Sequence, residues 1–331
     1  MDLIITNGDV AGELLRKTVQ GAEVLPWRDV LHDGPIPETQ DLAELSRLRA
    51  DFLAAKGWGS RDALEDAFAA RDRGLAQASV FDRVVLWFEH DLYDQLQLIQ
   101  ILDWFGREPK AEAQLYLVQA DDFLGRQTPE TIGKLAELEE PVFDQQVALA
   151  KRAWEALRQP TPEAWHALLD EDLSPLPFLK SAVRRLLEEL PSTKSGLSRT
   201  EREILKAIRS GIARPRDLFG AVQAQEEAAF MGDWSFWDRL DGLASEPSPL
   251  LDGLDAGPFR PEMKQEDWQS YLDAEVRLTV IGNEVLAGRE DYARHATIDR
   301  WWGGTHLTND ALWRWDAANG ALVPPGAERL N

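Results

Sequence analysis

Four short apolar runs constrain this chain more than any other feature: LIIT at 3–6, AEVLPW at 22–27, DRVVLWF at 82–88 and AQLYLV at 113–118. Each has the length of a buried strand. Between them lie stretches with helical spacing of apolar residues, at 10–20, 40–56 and 60–76, and another follows the third run at 91–105. Parallel strands cannot be closed by tight turns and need a crossover of a dozen or more residues, which these intervals supply. The alternation predicts an α/β fold over residues 1–125, a Rossmann-like parallel sheet with helices on both faces.

The pattern then changes. Residues 126–191 read as a helical connector, with Trp154, Leu157, Trp165, Leu168, Leu169, Leu186 and Leu187 on core faces and Pro160, Pro162, Pro175, Pro177 and Pro191 as punctuation. STKSG at 192–196 is small, polar and without apolar period, as a linker would be. Residues 197–331 read as a winged-helix-like α+β module with a C-terminal β-meander. LSRTEREIL carries a capping box at Ser198 and Glu201, and RPRDLFGAVQ opens with an early Pro215. DWSFWDRLDGLA is a third helix, and SPLLDG and EVRLTV are the strands of a ribbon. Residues 304–325 alternate like antiparallel strands, with turn signals at Asn309–Asp310 and Asn319–Gly320.

Charge limits the partners. A formal net charge of −22 disfavours coating a phosphate backbone or an anionic membrane, because Lys and Arg supply those attractions. Nucleic acid is therefore an unexpected partner, and the third helix, with three aspartates to one arginine, would repel phosphate. No uncharged apolar run approaches the roughly 20 residues that span a bilayer, and MDLIITNGD lacks the build of a secretory signal. The absence of cysteine excludes thiolate chemistry and suits a reducing compartment. The expected setting is the cytoplasm; a protein partner or a homo-oligomer stays open.

In open parallel sheets, ligands sit beyond the carboxyl ends of strands, where helix N-termini also point. Three such ends carry polar groups here: Asn7, Gly8 and Asp9 after the first strand, His32 and Asp33 after the second, and Glu89, His90 and Asp91 after the third. His90 and His32 are the candidate general bases, and the others are candidate ligand contacts. Asp91 also suits a helix N-cap, with Asp94 three residues on. The acids and imidazoles could together hold a divalent cation, yet no diagnostic ligand spacing occurs, so no metal is assigned. No cofactor is specified either: G-x-G-x-x-G, the P-loop and the G-x-S-x-G elbow are all missing. NGDV resembles the opening block of the SGNH esterases, but Val10 stands where their nucleophilic serine would be.

TNGDVAGELL, WRDVLHDGPIP and LWFEHDLYDQLQL, followed by LSRTEREIL, EEAAFMGDWSFW, LTVIGNEVLAG and DRWWGGTHL, together resemble a bacterial two-module family. Its N-terminal module is the domain of unknown function 1835. The resemblance implies the two-module division and assigns no site residue. The leading expectation is that a small polar or anionic ligand, of nucleotide or sugar-phosphate class, binds at the strand ends. One alternative is a hydrolase or transferase with a histidine base, with or without metal assistance. Another is a regulatory module acting through protein or DNA contacts.

Overall fold

The structure, a computed structural model, describes residues 1–39, 41–108, 114–245 and 247–327. Gln40 and Ala113, the first residues of one expected helix and one expected strand, lie outside them. The N-terminal region runs β1 (Asp2–Asn7), α1 (Gly8–Thr18), β2 (Ala22–Trp27), α2 (Leu42–Ala55), α3 (Arg61–Ala76), β3 (Arg83–Glu89), α4 (Leu92–Arg107) and β4 (Gln114–Ala120). After α5 (Pro129–Leu135), the two-residue strand β5 (Glu140–Pro141) pairs antiparallel to β4. The sheet order is β2-β1-β3-β4-β5, with the first four strands parallel.

Strand alternation sorts the apolar side chains to two faces. Ile4, Val24, Val85, Trp87 and Val118 pack with Ala11 and Leu15 of α1 and Ile132 of α5. Leu3, Ile5, Val84, Leu86 and Phe88 pack on the other side with Leu75 of α3 and Leu96 and Ile99 of α4. Each such Leu or Ile contributes about 1.5–3 kcal/mol on burial. Helices thus cover both faces. The chain leaves β1 towards one edge and β3 towards the other, so the two connections lie on opposite sides of the sheet.

The middle of the chain supplies α6 (Asp144–Leu157), α7 (Glu163–Ala167) and α8 (Leu179–Leu187). Helix α4 packs against both α6 and α8, which is why it is buried nearly all round. Two of its buried glutamines tie it to the end of β2. Gln97 donates to the Asp29 carbonyl at 2.9 Å, and Gln100 accepts from the Trp27 indole at 3.0 Å.

The C-terminal region has α9 (Arg199–Arg209), α10 (Pro215–Gln223), α11 (Asp233–Leu243), β6 (Leu251–Asp252), α12 (Gln265–Asp273), β7 (Arg277–Leu278) and α13 (Val280–Leu286). The ribbon expected from SPLLDG and EVRLTV is present, antiparallel, with Leu251 opposite Leu278. The tail forms two hairpins, β8 (Asp299–Trp302) with β9 (Thr305–Thr308) and β10 (Arg314–Asp316) with β11 (Ala321–Val323). Asn319–Gly320 does lie in the second turn. The chain bends at Asn309–Asp310 between the hairpins, with Ala311 N–H donating to the Thr308 carbonyl at 3.1 Å, and a further turn falls at Gly303–Gly304, where a Cβ on either glycine would overlap the Leu157 or Arg158 carbonyl. The tryptophans of the tail are largely core: Trp302 and Trp315 are buried.

One hydrophobic cluster runs from Leu3 through Trp154 and Phe236 to Trp315, so all three regions share a core. The STKSG stretch is a packed turn, with Gly196 N–H donating to the Ser192 carbonyl at 3.0 Å and Ser195 buried. Among the described residues, no helix is long and apolar enough to cross a membrane.

Candidate ligand site

The strand order puts the topological switch point between β1 and β3, where a doubly wound sheet opens a crevice. Asn7 ends β1 there, and Glu89 ends β3. The crevice is filled by carboxyl groups. Asp91 caps α4 by accepting from Asp94 N–H at 3.1 Å, as the sequence suggested. Asp94 accepts from the Glu89 N–H at 2.8 Å and from the Asn7 side-chain amide. Glu89 accepts from Leu124 N–H at 2.6 Å, tying β3 to the segment after β4.

Glu89, Asp91 and Asp94 are all buried, and each offers an oxygen within 4.8 Å of the others. Burial penalises their charged forms, and each neighbour's charge adds to the effect. Glu89 is pushed up to about 8 by burial and then by Asp94, and Asp91 to about 8 by burial and then by Glu89. Asp94 is raised well above the ordinary carboxyl range by burial and then by Asp91. These oxygens are the set that could hold a small cation; at neutral pH they carry protons and act as a hydrogen-bonded floor.

The remaining expected residues go to three different places. Gly8 opens α1 with φ +61°, and Asp9 turns outward to a surface ion pair with Arg28, Nε to Oδ2 at 2.9 Å. That bond, more than anything else, lowers the Asp9 carboxyl. His32 and Asp33 lie in the loop after β2, whose form is dictated by Arg49. This fully buried guanidinium pairs with Asp29 at 3.0 Å and donates to the carbonyls of Val30 and Asp33 at 2.7 and 2.6 Å. Gly34 has φ +78°, and a Cβ there would overlap the Phe52 ring.

Asp33 leaves its own region to pair with Arg239 of α11 at 2.6 Å. Burial alone would raise its carboxyl; Arg239 and the other nearby cations outweigh that and hold it low. His32 is sealed between the rings of Phe230 and Tyr93, with centroids 5.0 and 5.4 Å away. Burial pushes it down to about 4, so it is neutral at physiological pH. Lys56 pairs with Asp238 at 2.7 Å beside this contact. Two of the four charged residues of α11, Asp238 and Arg239, are therefore spent on the N-terminal region.

His90 faces a cleft. It lines a cleft of about 230 Å³ with Leu92 at the N-terminal end of α4, the α8 face Ser181, Arg184, Arg185 and Glu188, and Arg199 of α9. Residues 226–228 complete the lining. The imidazole is half-buried beside Phe123 and Phe178, and burial lowers its affinity for a proton. Arg185 pairs with Glu189 and Glu226, and Arg199 with Glu188 and Glu227. Arg184 has no ion pair among the described residues.

Thus Asn7, Glu89 and Asp91 converge with Asp94. Asp9 and Gly8 stand at the outer edge, His32 and Asp33 lie in the contact with α11, and His90 lies at the cleft. Sequence reasoning treated Asp94 only as a capping partner and passed over the arginines. Their signal was present: Ser181, Arg184, Arg185 and Glu188 recur at i, i+3, i+4 and i+7, one face of a helix. Comparison with protein-family models and with curated proteins found no match for this chain.

Proposed function

We propose that the protein binds a small anionic metabolite, of nucleotide or sugar-phosphate class, in the cleft between the β3–α4 junction and α8. The observation that carries this reading is the convergence of His90, Arg184, Arg185 and Arg199 on one cleft at the carboxyl end of a central strand, in a chain of net charge −22. Guanidinium groups in a fork geometry suit phosphate and carboxylate. The positive end of the 16-residue helix α4 meets the same space. A volume of about 230 Å³ favours a compact ligand over a dinucleotide. Such metabolites are cytoplasmic, in keeping with an acidic, cysteine-free chain. Membership of the two-module family that the sequence resembles belongs to the same proposal, as does a winged-helix kinship for α9–α11 and their ribbon.

The test is a melting-temperature screen with inorganic phosphate, nucleoside monophosphates and sugar phosphates. At least one should raise the melting temperature of the native protein and leave Arg184→Ala unmoved. A flat response across the panel contradicts the reading.

A second reading follows from the state of His90. A neutral imidazole at the rim of an anion cleft can take a proton from a bound hydroxyl or water, which makes a hydrolase or transferase. An activity screen with His90→Ala as the control decides it: equal turnover in both proteins removes the imidazole from any chemistry.

A further inference from the structure

We infer that Glu227 holds the place of the ligand's anionic group on Arg199, so that the cleft is gated by the chain's own carboxylate. This rests on the reading of the cleft as an anion site. It also accounts for a feature that reading leaves open, that two of the three arginines already have partners.

The two neighbouring acids are held very differently. Glu226 is clamped: its carboxylate takes a two-pronged bond from Arg185, Nη2 at 2.7 Å and Nε at 2.8 Å, and its side chain is 5% exposed. Glu227 meets Arg199 through one contact at 2.8 Å, and its side chain is 80% exposed. Arg199 does not depend on it, because Nη1 is held by Glu188 at 2.8 Å and Nη2 also donates to the Gln225 carbonyl at 3.0 Å. An exposed ion pair of this kind is worth about 0–1 kcal/mol. A carboxylate and a phosphate oxygen present the same acceptor to a guanidinium.

The surrounding segment lets one acid leave without disturbing the rest. Residues 224–232 join α10 to α11 without regular structure. Phe230 anchors its far side, edge-on to the His32 ring at 5.0 Å and under the Arg185 guanidinium at 4.8 Å. Glu226 anchors its near side. Glu227, between two fixed points and facing water, can swing off Arg199 and yield it to an incoming anion, with Arg184 beside it already unpaired. Before that exchange three arginines meet four acids, Glu188, Glu189, Glu226 and Glu227; with Glu227 swung away, three acids remain and Arg199 has a donor to offer.

The experiment is a calorimetric titration of the full chain with inorganic phosphate in four forms: native, Glu227→Ala, Arg199→Gln, and the double variant. Removing the competing carboxylate should tighten binding by about three- to five-fold, and the gain should vanish in the Arg199→Gln background. Two results overturn the gate and spare the site: native affinity in Glu227→Ala, or the same gain in the double variant, which marks a long-range charge effect. No phosphate binding in the native protein or in Glu227→Ala overturns both the gate and the site.

Discussion

Two strand-end segments of this protein each place a histidine beside an aspartate, and the structure puts them to opposite uses. In the loop after β2, the polar groups are enclosed: Arg49 pairs with Asp29 and two carbonyls, Asp33 with Arg239, and His32 is buried between two rings with neither ring nitrogen hydrogen-bonded among the described residues. At the β3–α4 junction, Asp91 caps a helix, but His90 remains at a cleft also lined by Arg184, which has no ion pair among the described residues. The first is a joint between regions of the chain and the second is a mouth. A polar strand end, on this contrast, marks a ligand site only if no later element of the chain arrives to consume it.

The joint should answer to mutation through stability, and the largest loss should come at its centre. Arg49→Met leaves Asp29 buried with only the longer 3.8 Å contact to Arg71 and should cost about 3–5 kcal/mol in chemical denaturation. A loss under about 1 kcal/mol would mean that the loop is not built around that guanidinium. Next comes Gly34→Ala, which forces a side chain into the left-handed region against Phe52 and should cost about 1–3 kcal/mol from backbone strain alone.

The mouth rests on a floor whose signature is pH dependence. Glu89 and Asp91, an interacting pair pushed up to about 8, keep protons in the folded state that the unfolded chain releases at 4.5 and 3.8. Their stabilisation is full below those values and is lost as pH rises through about 8. His32, pushed down to about 4, works in the other direction, but only between about 4 and 6.5. From pH 6.5 to 8 the carboxyls act without that opposition, and unfolding free energy should fall by about 1–3 kcal/mol. Asp91→Asn should flatten the slope; an unchanged slope would place the buried protons elsewhere. The smallest effect on stability belongs to Arg184→Ala, within about 0.5 kcal/mol as an exposed substitution, while phosphate binding is lost. Equal binding in that variant would move the anion site away from α8.

Much of the sheet was legible because its determinants are local. LIIT, DRVVLWF and AQLYLV are short apolar runs of strand length, and Asp91 and Asp94 stand at capping spacing; the order of the strands in the sheet came from the structure. What escaped depends on distant chain. Nothing near His32 says that Phe230 and Arg239, some 200 residues on, will close over it. The turn at Gly303–Gly304 is selected by the Leu157 and Arg158 carbonyls, and β5 is only two residues long. Within the site, the His90 side was visible as a strand end. The arginine side was not, because charged residues on a helix read as solvated until the helix is placed opposite something.

The contrast between joint and mouth is sharpest in the imidazoles themselves. The chain has five histidines, few enough for their side-chain nitrogen resonances to be followed one by one by NMR during a titration with inorganic phosphate at pH 7. His90 should shift along a saturable curve while His32 stays where it was. A silent His90, or a His32 that moves with it, would contradict the division of this protein into a joint and a mouth.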